Sequence, residues 1–242
     1  YQYLVTASNL FYSGGINSGI KLLQKKYSDL DYIFLFNNDV ILPGKSFFSH
    51  MVVTMKNYKA DILAPLAIYP DGSFQTRPSL MVFPTIKLLL KSIYDRFLLK
   101  AQPTFNSVYK VDWVPNGYTC FKANLLYNYY LGDDFPMDLN DVDYCAKIGK
   151  KKRIFLDCRI RVIHRNNFPN QKIKYLESFP KAKQAEKKFI KKYHTKLYSF
   201  IYIILESAIS LIIGLTYILS TDNYTKKRGQ LWLVNSLKMW RY

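Results

Sequence analysis

Five consecutive apolar residues, Tyr32-Ile33-Phe34-Leu35-Phe36, run directly into Asn37-Asn38-Asp39. An uninterrupted apolar run this short predicts a strand covered on both faces, the kind found inside a parallel sheet. The polar residues behind it mark the strand's carboxyl end, where open α/β sheets place ligand crevices. The same three residues also suit an ordinary turn. Upstream, Tyr3-Leu4-Val5 predicts a short strand. Asn9 to Ile20 predicts a Gly/Asn/Ser loop, and Ile20 to Lys26 a helix with Ile20, Leu22 and Leu23 inward. Strand, loop, helix and strand in this order make a βαβ unit. The loop lacks the GxGxxG or GxxxxGK[ST] spacing of a nucleotide loop and reads first as a tight turn.

Downstream, the pattern predicts a helix from Phe47 to Tyr58, a short strand at Ile62-Leu63-Ala64-Pro65 and a turn at Asp71-Gly72. Met81 to Leu99 is apolar with scattered Lys and Arg and predicts a helical excursion. Val111 to Gly117 predicts a strand and then a turn, Thr119 to Lys122 a return to the sheet, and Ala123 to Tyr130 a short helix. Another helix starts near Asn140, with Val142 and either Cys145 or Ala146 inward. Lys150 to Arg153 is a solvated turn. Ile154-Phe155-Leu156 and Arg159 to His164 predict strands, the second with basic and apolar residues alternating. A basic helix runs from Pro180 to Lys196. The run from Leu197 to Leu219 then carries a single charge, Glu206, in 23 residues.

Composition sharpens this outline. With 242 residues, 49% of them hydrophobic and 17% aromatic, the chain can bury a sizeable α/β core and is not disordered. Its three cysteines, Cys120, Cys145 and Cys158, have no metal-ligand spacing and fit a reducing compartment. The net charge is +18. Residues 147–196 hold seventeen Lys or Arg against Asp157, Glu177 and Glu186. Such a block attracts phosphate, in nucleic acid or on an anionic membrane. The apolar run beside it, flanked by basic clusters and by Tyr and Trp, favours the membrane surface, with a helix lying on or dipping into the bilayer. A single span, or a core or dimer helix allowing self-association, remains the other reading of this run. No DNA- or RNA-binding motif is present, so nucleic acid is not an expected partner.

Two acidic sites stand out against this basic background. Asp39, with the Asn37 amide two residues before it, can hold a hard divalent cation that also touches a phosphate. Five Asp (133, 134, 138, 141 and 143) fall within eleven residues. A helix dipole accounts for one of them at a helix start but not for five, so a general base is expected among them. His164 ends a strand, as Asp39 does, and can reach the same crevice, although a lone His is more often a structural hydrogen-bonder.

Three pieces stand in a familiar order: Asn9 to Gly19 with Tyr32 to Val40; Val111 to Gly117 with Phe135 to Cys145; and Val162-Ile163-His164. Over about residues 1–165 they resemble the family 2 glycosyltransferases of GT-A fold, especially the bacterial rhamnosyltransferase-like branch. The resemblance implies an α/β, Rossmann-like fold with a mostly parallel sheet flanked by helices. It divides the chain into a catalytic domain, 1–170, and a basic, amphipathic or apolar helical tail, 171–242. It implies an inverting transfer of sugar from a nucleotide-sugar donor to a lipid-linked or polysaccharide acceptor at the cytoplasmic face of the bacterial plasma membrane. Asp141 would be the base. Asp39, Asn37 and His164 would hold Mn²⁺ or Mg²⁺. Asn38, Trp113, Gly117, Asp143, Gly15 and Asn17 would line the donor and acceptor sides.

The chain departs from the family pattern at Asn37, where Asp is commoner, and at Asn140, where Glu is usual. The family's first strands, which hold the donor's base and ribose, would lie before Tyr1. These departures favour the alternative of a degenerate or truncated, non-catalytic relative that binds membrane or partner subunits.

Overall fold

The computed structural model describes residues 8–75, 78–90, 106–135, 138–166 and 171–239. The expected strand at Tyr3-Leu4-Val5 lies outside the described residues, as does part of the 81–99 excursion. The elements are α1 (Phe11–Lys26), β1 (Tyr32–Phe36), β2 (Val40–Ile41), α2 (Phe47–Asn57), β3 (Ile62–Ile68), β4 (Val108–Lys110), β5 (Tyr118–Lys122), α3 (Ala123–Asn128), α4 (Asn140–Ile148) and β6 (Ile154–His164). Three helices follow: α5 (Gln171–Tyr193), α6 (Lys196–Ile218) and α7 (Asn223–Lys238). The chain divides into two compact units, Tyr1–Phe83 with Pro103–Asn166 and Pro84–Gln102 with Asn167–Tyr242.

The first unit is an α/β layer around a mixed sheet of order β1-β5-β3-β6-β2, with β4 on the first half of β6. The expectation of a mostly parallel sheet is corrected here. Among the described residues only β3 and β6 pair parallel, while β1/β5, β3/β5, β2/β6 and β4/β6 are antiparallel. The apolar runs report burial on two faces but not direction, and β5 enters reversed between β1 and β3. This arrangement still leaves β1, β3 and β6 pointing the same way. Their carboxyl ends and the start of β5 therefore share one edge of the sheet. The core fills both faces, with Ile62, Leu63, Ala64, Leu66 and Ala67 of β3 sealed from water against Met51 and Met55 of α2.

Three local expectations also change. Asn9 to Ile20 is not a loop, because α1 begins at Phe11. Helical Gly costs about 1 kcal/mol each relative to Ala. The burial of Ile20, with Tyr12, Ile16 and Leu23 packed on the core, offsets it. Strand residues end at Lys110 rather than covering 111–114. The two short strands expected at 154–156 and 159–164 are one strand with a register shift opposite Pro65/Leu66. There Arg159 folds back on the buried Asp157, with Nε at 2.8 Å and Nη2 at 2.7 Å.

The second unit is helical. The basic helix starts at Gln171, not at Pro180, which sits inside α5. Tyr175 and Phe179 precede that proline and stack toward Trp232 of α7, with ring centroids 5.5 and 4.7 Å apart along the series. Helices α6 and α7 approach at two glycines. A Cβ on Gly229 would lie 2.9 Å from the Ile218 nitrogen and 3.0 Å from the Gly214 oxygen. Inside the bundle, Lys183 Nζ sits 2.8 Å from both Glu186 Oε2 and Glu206 Oε1. Tyr202 donates to Glu186, and Asn235 Nδ2 lies 2.9 Å from Ser210 Oγ. Burial raises the Glu206 pKa, opposed by Lys183 and reinforced by Glu186. Burial pushes Glu186 the same way, but Lys183 and the hydrogen bonds outweigh it and hold Glu186 low. Of the two carboxyls, Glu206 therefore takes up a proton first.

Candidate active site

At the shared sheet edge lies an open cleft of about 370 Å³, lined by Tyr12, Asn37, Tyr69, Gln75, Trp113, Pro115, Asn116, Gly117, Tyr118, Asn140, Asp141, His164 and Asn166. Its placement follows from strand direction. Asn37 follows β1, Tyr69 follows β3, and His164 ends β6. Gly117 and Tyr118 open the reversed β5. Helix α4 brings Asn140 and Asp141 in its first turn, and its N-cap Leu139 holds a left-handed φ of 59°. A leucine in that region carries a steric cost of about 1–2 kcal/mol.

Asp141 is partly open to the cleft and enclosed elsewhere. Its Oδ1 accepts from the Val142 N–H at 2.8 Å. Burial nevertheless pushes its pKa up to about 6, with a smaller push from the Asp138 charge. Tyr12 is raised in turn, first by burial and then by Asp141. A carboxylate poised near neutral pH and facing a cleft suits proton abstraction.

At the carboxyl end of β6, His164 Nε2 lies 3.2 Å from Asp39 Oδ1, and Asp39 Oδ2 accepts from the Asn166 N–H at 3.1 Å. Gln75 Nε2 donates to the His164 carbonyl, which turns Gln75 Oε1 toward His164 Nδ1 at 2.9 Å. With the amide so oriented, Nδ1 is the donor and Nε2 faces the carboxylate. Metal-ligating histidines are commonly set in this way, one ring nitrogen fixed by a hydrogen bond and the other turned to the site. Among the described residues there is no group of three or more His, Cys, Asp and Glu that could hold a metal. One carboxylate, one imidazole and the Asn37 amide remain. Mg²⁺ and Mn²⁺ are often held by one or two carboxylates plus substrate phosphates, so the chemistry of these residues would suit such an ion only with ligands supplied by a substrate.

Gly117 is required by close packing. Its carbonyl accepts the Asn37 N–H at 2.7 Å, and a Cβ there would lie 2.5 Å from Asn37 Nδ2. Trp113 is fixed by its indole N–H, 3.1 Å from the Val82 carbonyl. Asn116 is buried and points Nδ2 at Asn140 Oδ1, 3.5 Å away, while its Oδ1 has no hydrogen-bond partner. Buried amide oxygens normally find a partner, so this one marks a place for a ligand or water donor.

Of the residues expected at the site, Asn37, Trp113, Gly117, Asp141 and His164 line the cleft, and Asp39 is not among the lining residues but lies 3.2 Å from His164 Nε2. The others lie elsewhere. Asn38 is exposed on the turn. Gly15 is on the outer face of α1. Asn17 clamps the Leu131 backbone with two 2.9 Å hydrogen bonds, so it orders the chain leading to α4. Asp143 is sealed from solvent against Gly132, whose Cβ would come within 2.8 Å of Asp143 Oδ2. Sequence reasoning missed Tyr12, Tyr69, Gln75, Pro115, Asn116, Tyr118, Asn140 and Asn166 as lining residues. The Pro115-Asn116-Gly117 turn carried a signal, but Gln75 and Asn166, in loops without periodicity, carried none.

No family model matches the sequence, and no curated protein matches it. Among solved structures, A197 from STIV is similar over 62% of this chain and 64% of its own, with 16% identity and a TM-score of 0.38. The likeness spans less than two thirds of the A197 chain.

Proposed function

We propose that the first unit transfers a sugar from a nucleotide-sugar donor to an acceptor hydroxyl with inversion, as the sequence resemblance implies. The observation that carries this reading is the single carboxylate, Asp141, held at a pKa of about 6 on the wall of an amide- and aromatic-lined cleft. Asn37, Asn116 and Asn140 offer amide donors and acceptors of the kind that read sugar hydroxyls. Trp113, Tyr69 and Tyr118 offer apolar ring faces for the sugar's C–H groups. No Lys or Arg lines the cleft among the described residues, so a donor diphosphate would be met by a cation on Asp39, His164 and Asn37.

In the reaction, Asp141 removes the proton of the acceptor hydroxyl as its oxygen bonds the anomeric carbon. The bond from that carbon to the diphosphate oxygen breaks on the opposite side, and one displacement inverts the centre. The bound Mn²⁺ or Mg²⁺ would offset the charge that gathers on the leaving diphosphate. His164 and Asp39, braced by Gln75 and Asn166, keep the ligand side in place, while Asn116 and Asn140 orient the sugar. The acceptor in this reading is a lipid-linked or polysaccharide saccharide.

The test is transfer assayed with nucleotide-sugars and the Asp141→Asn variant. The reading predicts abolished transfer with donor binding nearly intact. Loss of both together would make Asp141 structural.

A further inference from the structure

Helix α6 is apolar along its outward face, while its inward face mixes polar side chains with buried Ile203 and Ile213. Its inward face holds Ser199, Tyr202, Glu206 and Ser210, buried at three- and four-residue spacing and bonded to one another or to α5 and α7. Its outward face carries Leu197, Ile201, Ile204, Leu211, Leu215 and Ile218, with exposed Ala208 closing the one gap. Leu197 is 69% exposed and Leu215 52%. In water, an amphipathic helix hides its apolar stripe, not its polar one. This stripe runs the whole helix, about 34 Å at 1.5 Å per residue.

The charges around it are of one sign. Lys191, Lys192 and Lys196 precede the stripe, and Lys226 and Lys227 follow it. Among the described residues of this unit, ten exposed lysines stand against two exposed acids, Glu177 and Asp222.

We propose that the outward face of α6 docks in the plane of an anionic lipid bilayer, with its flanking lysines at the headgroups. Charge complementarity selects this occupant, because a second copy would bring the same lysine-rich surface against itself. A crossing of the bilayer does not fit. Helix α5 is bonded to α6 at Lys183–Glu206 and Glu186–Tyr202, and it would carry Lys181, Lys183, Lys187 and Lys188 into hydrocarbon. The buried Lys183–Glu206 pair keeps the one acid of α6 on the protein side and leaves the lipid side uncharged.

The inference rests on the helical unit and is read without any sugar donor, so it can fail independently of the proposed reaction. The test sediments the full chain with phosphatidylglycerol-containing vesicles and with pure phosphatidylcholine vesicles, at low and high salt. Two variants accompany it, Leu211→Glu/Leu215→Glu and Leu211→Ala/Leu215→Ala, each checked for helicity by circular dichroism. The wild type is expected to bind the anionic vesicles and to weaken with salt. The glutamate pair should lose roughly a hundredfold and the alanine pair roughly tenfold, with helicity unchanged. Undiminished binding by both pairs would reduce the contact to charge alone and overturn the proposal. So would absence of wild-type binding, or a wild-type dimer in ultracentrifugation that the same substitutions dissolve.

Discussion

Replacing Asp141 with Asn removes a charge that the fold holds at a cost. The carboxyl pKa rises from 3.8 to about 6, chiefly because burial desolvates the ionised form. Two pKa units correspond to about 3 kcal/mol, and the solvent on the cleft side brings the expected value to about 1–2 kcal/mol. The sign is unambiguous. A carboxylate whose folded pKa lies above its unfolded value destabilises the fold when ionised, and this penalty is complete above the folded pKa. It is relieved as pH falls from about 6 toward about 4. Asn keeps the amide oxygen that accepts the Val142 N–H. Asp141→Asn should therefore be more stable than wild type by about 1–2 kcal/mol near pH 8, with the gap closing below about pH 4. Urea titrations across this range, with the m-value checked for constancy, measure it. A gap independent of pH, or a variant less stable at pH 8, would refute the desolvated-base account.

Other outcomes follow from single contacts. If Asp141 is the base, the transfer rate should fall as pH drops through about 6 and stay level above it, as a pH–rate profile would show. Gly117→Ala, whose Cβ would meet Asn37 Nδ2 at 2.5 Å, should displace Asn37 and cut donor binding, measured by calorimetry against unchanged circular dichroism. Gly229→Ala meets backbone rather than flexible side chain, so it should lower the stability of the helical unit by about 1–3 kcal/mol, read as a fall in Tm. Lys183→Met leaves Glu186 and Glu206 without their cation and should cost about 3–5 kcal/mol. In the same thermal melts Glu206→Gln should be milder than Glu186→Gln, because Glu206 takes the proton first.

Much of the element map was legible because burial leaves a pattern. The runs at 32–36, 62–65, 119–122 and 154–156 fall in strands, and Phe47 to Tyr58 falls almost wholly in α2. Strand direction was not legible. Tyr118-Thr119-Cys120-Phe121 would read the same in either orientation, and its antiparallel entry follows from the route of the chain between β3 and β5. Helix α1 was hidden because Gly14, Gly15 and Gly19 signal a turn locally. The clamp from Asn17 to Leu131 and the core burial of Ile20 override that signal, and neither is visible within a short window. Pro180 hid the first turns of α5 in the same way, since the aromatic stack from Tyr175 to Trp232 holds helix on both sides of it.

The cleft was partly legible. Polar residues at strand ends, Asn37 and His164, and an acid at a helix start, Asp141, converge on one edge because strand and helix geometry place them there. Gln75, which sets the ring of His164, sits in a loop whose position depends on the whole sheet. The resemblance implies site roles for Asp143 and Asn17, yet α4 and α1 turn them toward Gly132 and Leu131.

The most direct test of the sugar-transfer reading is calorimetry of the protein with a panel of nucleotide-sugars, with and without Mn²⁺, repeated on Asp39→Ala and His164→Ala. The account predicts metal-dependent binding of one donor, abolished in both variants while their folds persist. No binding by any donor to the folded protein, or binding indifferent to Mn²⁺ and to both substitutions, would contradict it.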